Sequence, residues 1–154
     1  MDEMYRDIVS AIIINKDKKV LMCEHAWIND AWQFPQGGVE EGETEEEALM
    51  RELYEEIGTD KFEILDKSEY KIKYHLPYYL KDKYGIDGQE QRFFLLYFYG
   101  EDKEIKFNNQ EKPEFKNFKW VEYDEPPLYV IYFKKLSYLR ALNMFREKVK
   151  NLSL

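Results

Sequence analysis

Gln36-Gly37-Gly38-Val39-Glu40-Glu41-Gly42-Glu43, followed by Arg51-Glu52-Leu53-Tyr54-Glu55-Glu56-Ile57-Gly58, sets a glycine turn just ahead of a short helix crowded with glutamates. Thr44 is a good N-cap, and Glu47 three residues on completes a capping box. Leu49, Leu53 and Ile57 recur at spacings of four, a helical stripe, and Gly58 ends the helix in the usual C-terminal manner. The spacing predicts a helix over Glu45–Ile57. At about 100° per residue, Glu52, Glu55 and Glu56 fall within roughly a 100° arc, so their carboxylates can converge on one point. Leu49 and Leu53 lie beside that arc and would pack the helix onto a sheet. Like charges three and four residues apart cost roughly a few tenths of a kcal/mol per pair, and a divalent cation removes that cost. Carboxylate oxygens are hard ligands, suited to Mg²⁺ or Mn²⁺. The bland alternative is a solvated acidic face. The full pattern, with Gly37, Glu43 and Arg51-Glu52 at fixed offsets from Glu55, Glu56 and Gly58, favours chemistry.

Outward from the helix, the chain alternates strands and helices. Ile8 to Ile14 reads as a buried strand, Asn15 to Lys18 as a turn, and Lys19 to Cys23 as the returning strand of a hairpin. Trp32-Gln33-Phe34 is a short extended piece before Pro35, which biases Phe34 away from helix. Phe62 to Leu76 reads as extended, Pro77 to Gly88 as a loop, Arg92 to Tyr99 as a strong strand and Phe118 to Glu122 as a short one. Leu136, Leu139, Leu142, Phe145 and Val149 mark a C-terminal helix over Phe133 to Val149. No repeat, linker or low-complexity segment interrupts the pattern, which is that of one α/β (α+β) domain over residues 1–154.

Composition narrows the function. Much of the aromatic set of 13 Tyr, 10 Phe and 3 Trp must be buried, so the chain is globular and not a disordered tail. A net charge of −8 lacks the global basic footprint of a nucleic-acid binder, so a polyanion would need a local basic patch or bridging metal ions. Cys23 is the only cysteine and reads as a small buried hydrophobe; one thiol allows no internal disulfide, which fits a cytoplasmic location. No apolar run approaches the roughly 20 residues that span a bilayer, and the acidic start Met1-Asp2-Glu3-Met4 has no signal-peptide core. His25 and His75 lack ligand-like spacing.

The glycine–glutamate stretch resembles the signature box of the Nudix hydrolases, which cleave nucleoside diphosphates linked to a further moiety. The match fails only at its last position, where the family usually has an aliphatic residue and this chain has Thr59. The resemblance implies an α/β/α sandwich with a central mixed, twisted sheet. It also implies two to three bound Mg²⁺ or Mn²⁺ ions, in keeping with the multi-metal sites of phosphoryl chemistry. Their ligands would be Glu52, Glu55, Glu56 and a backbone carbonyl at the Gln36-Gly37 turn, with Glu52 as general base. Gly37 and Gly38 would let backbone approach metal and phosphate closely, since neither has a Cβ. Arg51 reads as a structural partner able to hold a neighbouring carboxylate, such as Glu43, bidentately.

Further segments resemble the bacterial RNA pyrophosphohydrolases and the related dinucleoside polyphosphate hydrolases within that family. They are Trp32 to Gly38, Gly88 to Leu95, Pro113-Glu114-Phe115 with Trp120-Val121, and Phe133-Lys134-Lys135 with Tyr138. Glu114, in a loop after a proline, would join the metal ligands. Arg6 and Arg92 are candidate phosphate contacts, as are Lys134 and Lys135. Phe133 could stack on a base, and Tyr74 and Gln89 would line the nucleotide pocket. Two departures remove positive charge near the expected phosphate channel. Cys23-Glu24-His25 stands where the subfamily usually carries arginine, and Arg6 is followed by Asp7 and not by Pro-Asn. The expected substrate is the 5′-triphosphate end of RNA, with dinucleoside polyphosphates such as diadenosine tetraphosphate as the alternative. A non-catalytic nucleotide-binding module is the remote one, because every carboxylate of the box is present. The sequence does not speak to oligomeric state or to a protein activator.

Overall fold

A computed structural model describes residues 3–154. Eight strands form one mixed sheet: β1 (Tyr5–Ile14), β2 (Val20–His25), β3 (Trp32–Gln33), β4 (Gln36–Gly38), β5 (Phe62–Lys67), β6 (Ile72–His75), β7 (Gly88–Phe98) and β8 (Phe115–Val121). The helices are α1 (Glu45–Ile57), α2 (Tyr78–Tyr84), α3 (Pro126–Tyr129) and α4 (Lys135–Asn151). The main path runs β3-β2-β1-β7-β5, with β4 paired to β1, β6 to β7 and β8 to β2. β1 and β7 are parallel and in register from Tyr5↔Gly88 to Ile14↔Tyr97, and the other pairings are antiparallel.

Side chains alternate across a strand, so β1 and β7 feed two cores. Val9, Ala11, Ile13, Phe94, Leu96 and Phe98 point to α1, where Leu49, Leu53 and Ile57 meet them. Ile12, Ile14, Phe93 and Leu95 point to α4, where Tyr138, Leu142, Phe145 and Val149 meet them. This is the expected α/β/α sandwich, and both central strands are apolar on both faces because a helix covers each.

The expected bounds of α1 hold to the residue. Glu47 N–H donates to Thr44 Oγ1 at 3.1 Å, Thr44 N–H donates to Glu47 Oε1 at 3.0 Å, and Gly58 N–H closes on the Tyr54 carbonyl at 3.0 Å. Thr59 is buried just past the helix end, and Cys23 lies in the α1-side core.

Four expectations change. Residues 77–88 are not all loop, because Pro77 and Gly85 bracket the helix α2; a proline before and a glycine after a short segment also mark helix ends. The glycine pair is not a turn but part of β4, with Gly37 opposite Val9 and Gly38 opposite Ile8. Phe133 and Lys134 sit in a 3-10 turn, Tyr132–Lys134, and the C-terminal helix begins at Lys135. Leu136 and Leu139 are exposed, and the buried stripe is Ser137, Tyr138, Ala141, Leu142, Phe145 and Val149. Each step of three falls about 60° short of a full turn, which leaves Leu136 roughly 120° from Leu142.

Tyr138 ties the α4-side core to the segment that leads into β4. Its ring stacks on Phe34 with centroids 4.0 Å apart, and its fully buried hydroxyl accepts from Phe34 N–H at 2.9 Å. Tyr138→Phe leaves that N–H unpartnered, so it should cost about 1–3 kcal/mol. Urea unfolding with an unchanged m-value would register the loss; an unchanged midpoint would show the bond to be dispensable.

Candidate active site

β4 is the divider on which the site is built. Residues opposite each other in an antiparallel pair share a face, so Gly37 opposite Val9 faces α1, while Gln36 and Gly38, opposite Ser10 and Ile8, face α4. A Cβ on Gly37 would overlap the Glu52 carboxylate, and one on Gly38 would lie 2.6 Å from Arg6 Nη2. The paired glycines therefore let a glutamate lie flat on one side of a three-residue strand and an arginine on the other.

On the α1 side, Arg51 holds Glu43 bidentately, through Nε to Oε2 at 2.7 Å and Nη2 to Oε1 at 2.9 Å. The same guanidinium donates to the Gly38 carbonyl at 3.1 Å and to Glu52 Oε1 at 2.9 Å, and reaches Glu55 at 3.5 Å. These bonds from Arg51 pull the Glu43 carboxyl down to about 2. Glu52 moves the other way: burial raises it, against the pull of Arg51.

Glu56 is the outlier. It is 2 % exposed, and neither carboxylate oxygen has a hydrogen-bond donor among the described residues. Burial first, then the adjacent Glu114 and Glu52, push its carboxyl well above the ordinary range. Glu114 reaches it from just before β8, where its own carbonyl accepts from Ala26 N–H at 2.7 Å. Glu55 is half-exposed and meets Gln110 at 3.5 Å. The expected convergence on one point is incomplete. Among the described residues no three acidic, His or Cys side chains close round a single centre, because Glu52 and Glu55 turn to Arg51 as like charges separate. A buried carboxylate with two orphaned oxygens, flanked by further carboxylates, fits a hard divalent cation.

On the α4 side a cleft of about 790 Å³ opens beside β4, the size range of small-molecule sites. Arg6, Gln36, Tyr74, Gln89, Phe133 and Lys134 all line it, so six expected site residues from five separate stretches of chain meet there. Lys134 is 8 % exposed, sits 5.8 Å from the Tyr74 ring centroid, and is lowered to about 8 by burial. Tyr74 bonds Gln89 through its hydroxyl and packs against Phe133 at 5.8 Å. Among the described residues, the cations Arg6, Lys83 and Lys134 face a single acid, Asp30, in the lining. That is a local basic patch in a chain of net charge −8.

Four expected residues do not join the cleft: Gly37 and Gly38, whose open sides are taken up by Glu52 and Arg6, and Arg92 and Lys135. Arg92 lies on the α1 face, where its guanidinium meets Glu45 at 3.3 Å and donates to the Ser68 carbonyl at 2.7 Å. Lys135 is exposed and outside the lining. Sequence reasoning missed Gln91, fully buried, which donates to Ser10 Oγ at 2.9 Å and to Gln36 Oε1 at 3.2 Å and so clamps β4 to β1. It also missed Gln33 and His25 in the lining. His75 stays outside, 3.1 Å from the Tyr5 hydroxyl.

The NUDIX domain family matches residues 4–142. The chain belongs to the Nudix family. Nudix hydrolases are generally dependent on divalent metal, in keeping with the carboxylate set, and the chain is a Nudix pyrophosphohydrolase. An RNA pyrophosphohydrolase of a Nitratiruptor species is 41% identical over 94% of this chain and 95% of its own. Among solved structures, the E. coli dihydroneopterin triphosphate pyrophosphohydrolase is 25% identical, with a TM-score of 0.74 over 95% of this chain and 99% of its own. The Ap4A hydrolase of C. elegans, in a binary complex, shares the fold at 20% identity and TM-score 0.68, covering 93% and 98%. No helix among the described residues is long and apolar enough to cross a membrane.

The orphaned Glu56 carboxylate gives a test that needs no substrate. With Mg²⁺ or Mn²⁺ near 100 times its dissociation constant, the wild-type melting temperature should rise by about 5–10 °C. In Glu56→Gln most of that rise should vanish, while the protein in EDTA melts at or above wild type. Equal rises in both proteins would remove Glu56 from the metal site.

Proposed function

We propose that this Nudix enzyme removes pyrophosphate from the 5′-triphosphate end of RNA, leaving a 5′-monophosphate end, in the cytoplasm. The observation that carries the reading is the two-sided site. A buried cation and an aromatic pair lie on the α4 side of β4, a carboxylate cluster lies on the α1 side, and only Gln36 to Gly38 stands between. Near full-length likeness to an RNA pyrophosphohydrolase supports the substrate.

Glu52, Glu55, Glu56, Glu114 and the Gln36 carbonyl would hold on the order of two to three Mg²⁺ or Mn²⁺ ions, which neutralise phosphate oxygens and lower the pKa of bound water. Phe133 and Tyr74 take the first base, with Gln89 fixed by the Tyr74 hydroxyl. Lys134 and Arg6 take phosphate oxygens. Lys134 is buried against Tyr74, and no carboxylate among the described residues pairs with it, so its charge goes to the ligand. Glu52 receives the proton of the attacking water; burial raises its basicity, and Arg51 fixes its direction. Oxygen bonds to phosphorus, the anhydride P–O bond breaks, and pyrophosphate leaves. Gly37 gives Glu52 its place on β4, and Gly38 does the same for Arg6. Dinucleoside polyphosphates are the second reading, favoured by the fold shared with an Ap4A hydrolase and by a cleft that extends past the first base.

Glu52→Gln should lower kcat on triphosphorylated RNA by roughly 10²–10⁴-fold, the range for general base catalysis. Wild-type turnover on RNA and on diadenosine tetraphosphate alike would refute the assigned base. A higher kcat/KM on diadenosine tetraphosphate than on RNA at equal concentration would exchange the two readings.

The buried lysine sets a pH limit. Below about 8 Lys134 carries its charge, and above that the free enzyme loses it, so kcat/KM should fall as pH rises through about 8. Lys134→Arg, which stays charged, should flatten that alkaline limb. Lys134→Met should lower kcat/KM about 10–100-fold, the worth of a hydrogen bond to a charged group. An alkaline limb that survives in Lys134→Met would belong to another group.

A further inference from the structure

Lys134 closes the 3-10 turn Tyr132–Lys134, one residue before α4 begins. A lysine in such a turn ordinarily carries its ammonium out into water. This one is folded inward and buried. Its Nζ lies 5.8 Å from the Tyr74 ring centroid, and Phe133 packs on the same ring. No carboxylate among the described residues pairs with it, so burial alone sets its acidity and brings it down to about 8. Near neutral pH roughly a tenth of Lys134 is therefore free amine, where an ordinary lysine has fewer than about one in a thousand. The residue lines the cleft on the α4 side of β4, so that amine is open to small molecules.

We infer that Lys134 is a covalent modification site, taking the acyl group of small acyl phosphates that enter the cleft. Nζ attacks the carbonyl carbon of the mixed anhydride. A C–N bond forms, the C–O bond to the phosphate breaks, and phosphate leaves with the bonding pair and takes up the proton that nitrogen sheds. The step consumes no other reactant. Three observations fix the class of reagent. The amine is held in an aromatic wall away from bulk water, and desolvation of a lysine is one of the ways proteins make it a nucleophile. Arg6 and Lys83 line the same cleft against one acid, Asp30, so an anionic reagent is drawn in, and the cations hold its phosphate while its carbonyl meets Nζ. The product is a neutral amide, which suits this burial better than an ammonium ion without a counter-charge. Acylation also removes the positive charge and the cation–π contact to Tyr74. The covalent step stands apart from the enzyme's own reaction. Its consequence, loss of a phosphate contact and so of turnover, rests on the pyrophosphohydrolase reading above.

The test follows labelling and turnover in the same wild-type sample. The protein is incubated with acetyl phosphate near neutral pH, and peptide mass spectrometry reads each lysine over time. Lys134 should be acetylated at least about tenfold faster than the exposed Lys16 and Lys103, as its larger share of free amine implies. Added inorganic phosphate, which competes for the same cations, should slow the labelling of Lys134 alone. Once Lys134 is acetylated, kcat/KM on triphosphorylated RNA should be about 10–100-fold lower, the worth of a hydrogen bond to a charged group. Lys134→Arg, whose guanidinium stays protonated, should after the same treatment keep the kcat/KM of its own untreated sample. Labelling of Lys134 no faster than that of Lys16, or labelling that phosphate does not slow, would overturn the inference and leave the enzyme's reaction in place. An equal loss of activity in treated Lys134→Arg would assign the effect to another lysine and overturn it as well. Complete acetylation with kcat/KM unchanged would uphold the modification site and remove Lys134 from phosphate binding. A wild-type enzyme inert on RNA before treatment would overturn the pyrophosphohydrolase reading, and the labelling rates would still decide the site.

Discussion

Four carboxylates, Glu52, Glu55, Glu56 and Glu114, crowd one end of α1, and a single guanidinium answers them. Arg51 bonds Glu52 and reaches Glu55, but it also holds Glu43 and the Gly38 carbonyl, and no bond from it goes to Glu56. Glu56 is left buried, with no donor and with like charges beside it. A protein interior does not keep such a group charged unless something else neutralises it. No neutralising group comes from the described residues, and the rest of the structure holds α1 in place regardless. The Thr44 box and Gly58 fix the length and phase of α1, its Leu49–Leu53–Ile57 stripe fixes the rotation, and Arg51 fastens it to β4. The acidic face is therefore held against β4.

What could be read in the chain was what depends on neighbours in sequence. The cap, the stripe and the closing glycine made α1 legible to the residue. The eight-residue step from Glu43 to Arg51 made their bond legible, because it spans the cap residue Thr44 and about two turns of helix. What depends on the sheet was not. β4 is three residues long, too short to show alternation, and it is a strand only because β1 offers it Ile8 to Ser10. α2 was hidden because its proline and glycine serve loops and helix ends alike. Arg92 shows the limit of reading motifs without faces. Phe93 and Phe94 are both buried, so β7 displays no polar–apolar alternation, and nothing nearby tells that Gln89 faces the cleft while Arg92 faces Glu45.

The two faces of β4 also explain why the paired glycines belong together. With a side chain at Gly37, Glu52 would be driven off the strand; with one at Gly38, Arg6 would be. In the proposed reading the nucleoside end of a ligand lies on the α4 face and the carboxylates on the α1 face, so a polyphosphate engaging both would pass the edge of β4. That strand is thin because its flanks are glycine, and rigid because Gln91 clamps it to Ser10 from below while Pro35 accepts from Ala11 N–H at 2.9 Å just before it. A thicker strand would separate base from metal by more than a phosphate or two. A looser one would let that distance vary. In the proposed reading the reach from the first base to the cleaved bond is thus set by backbone geometry.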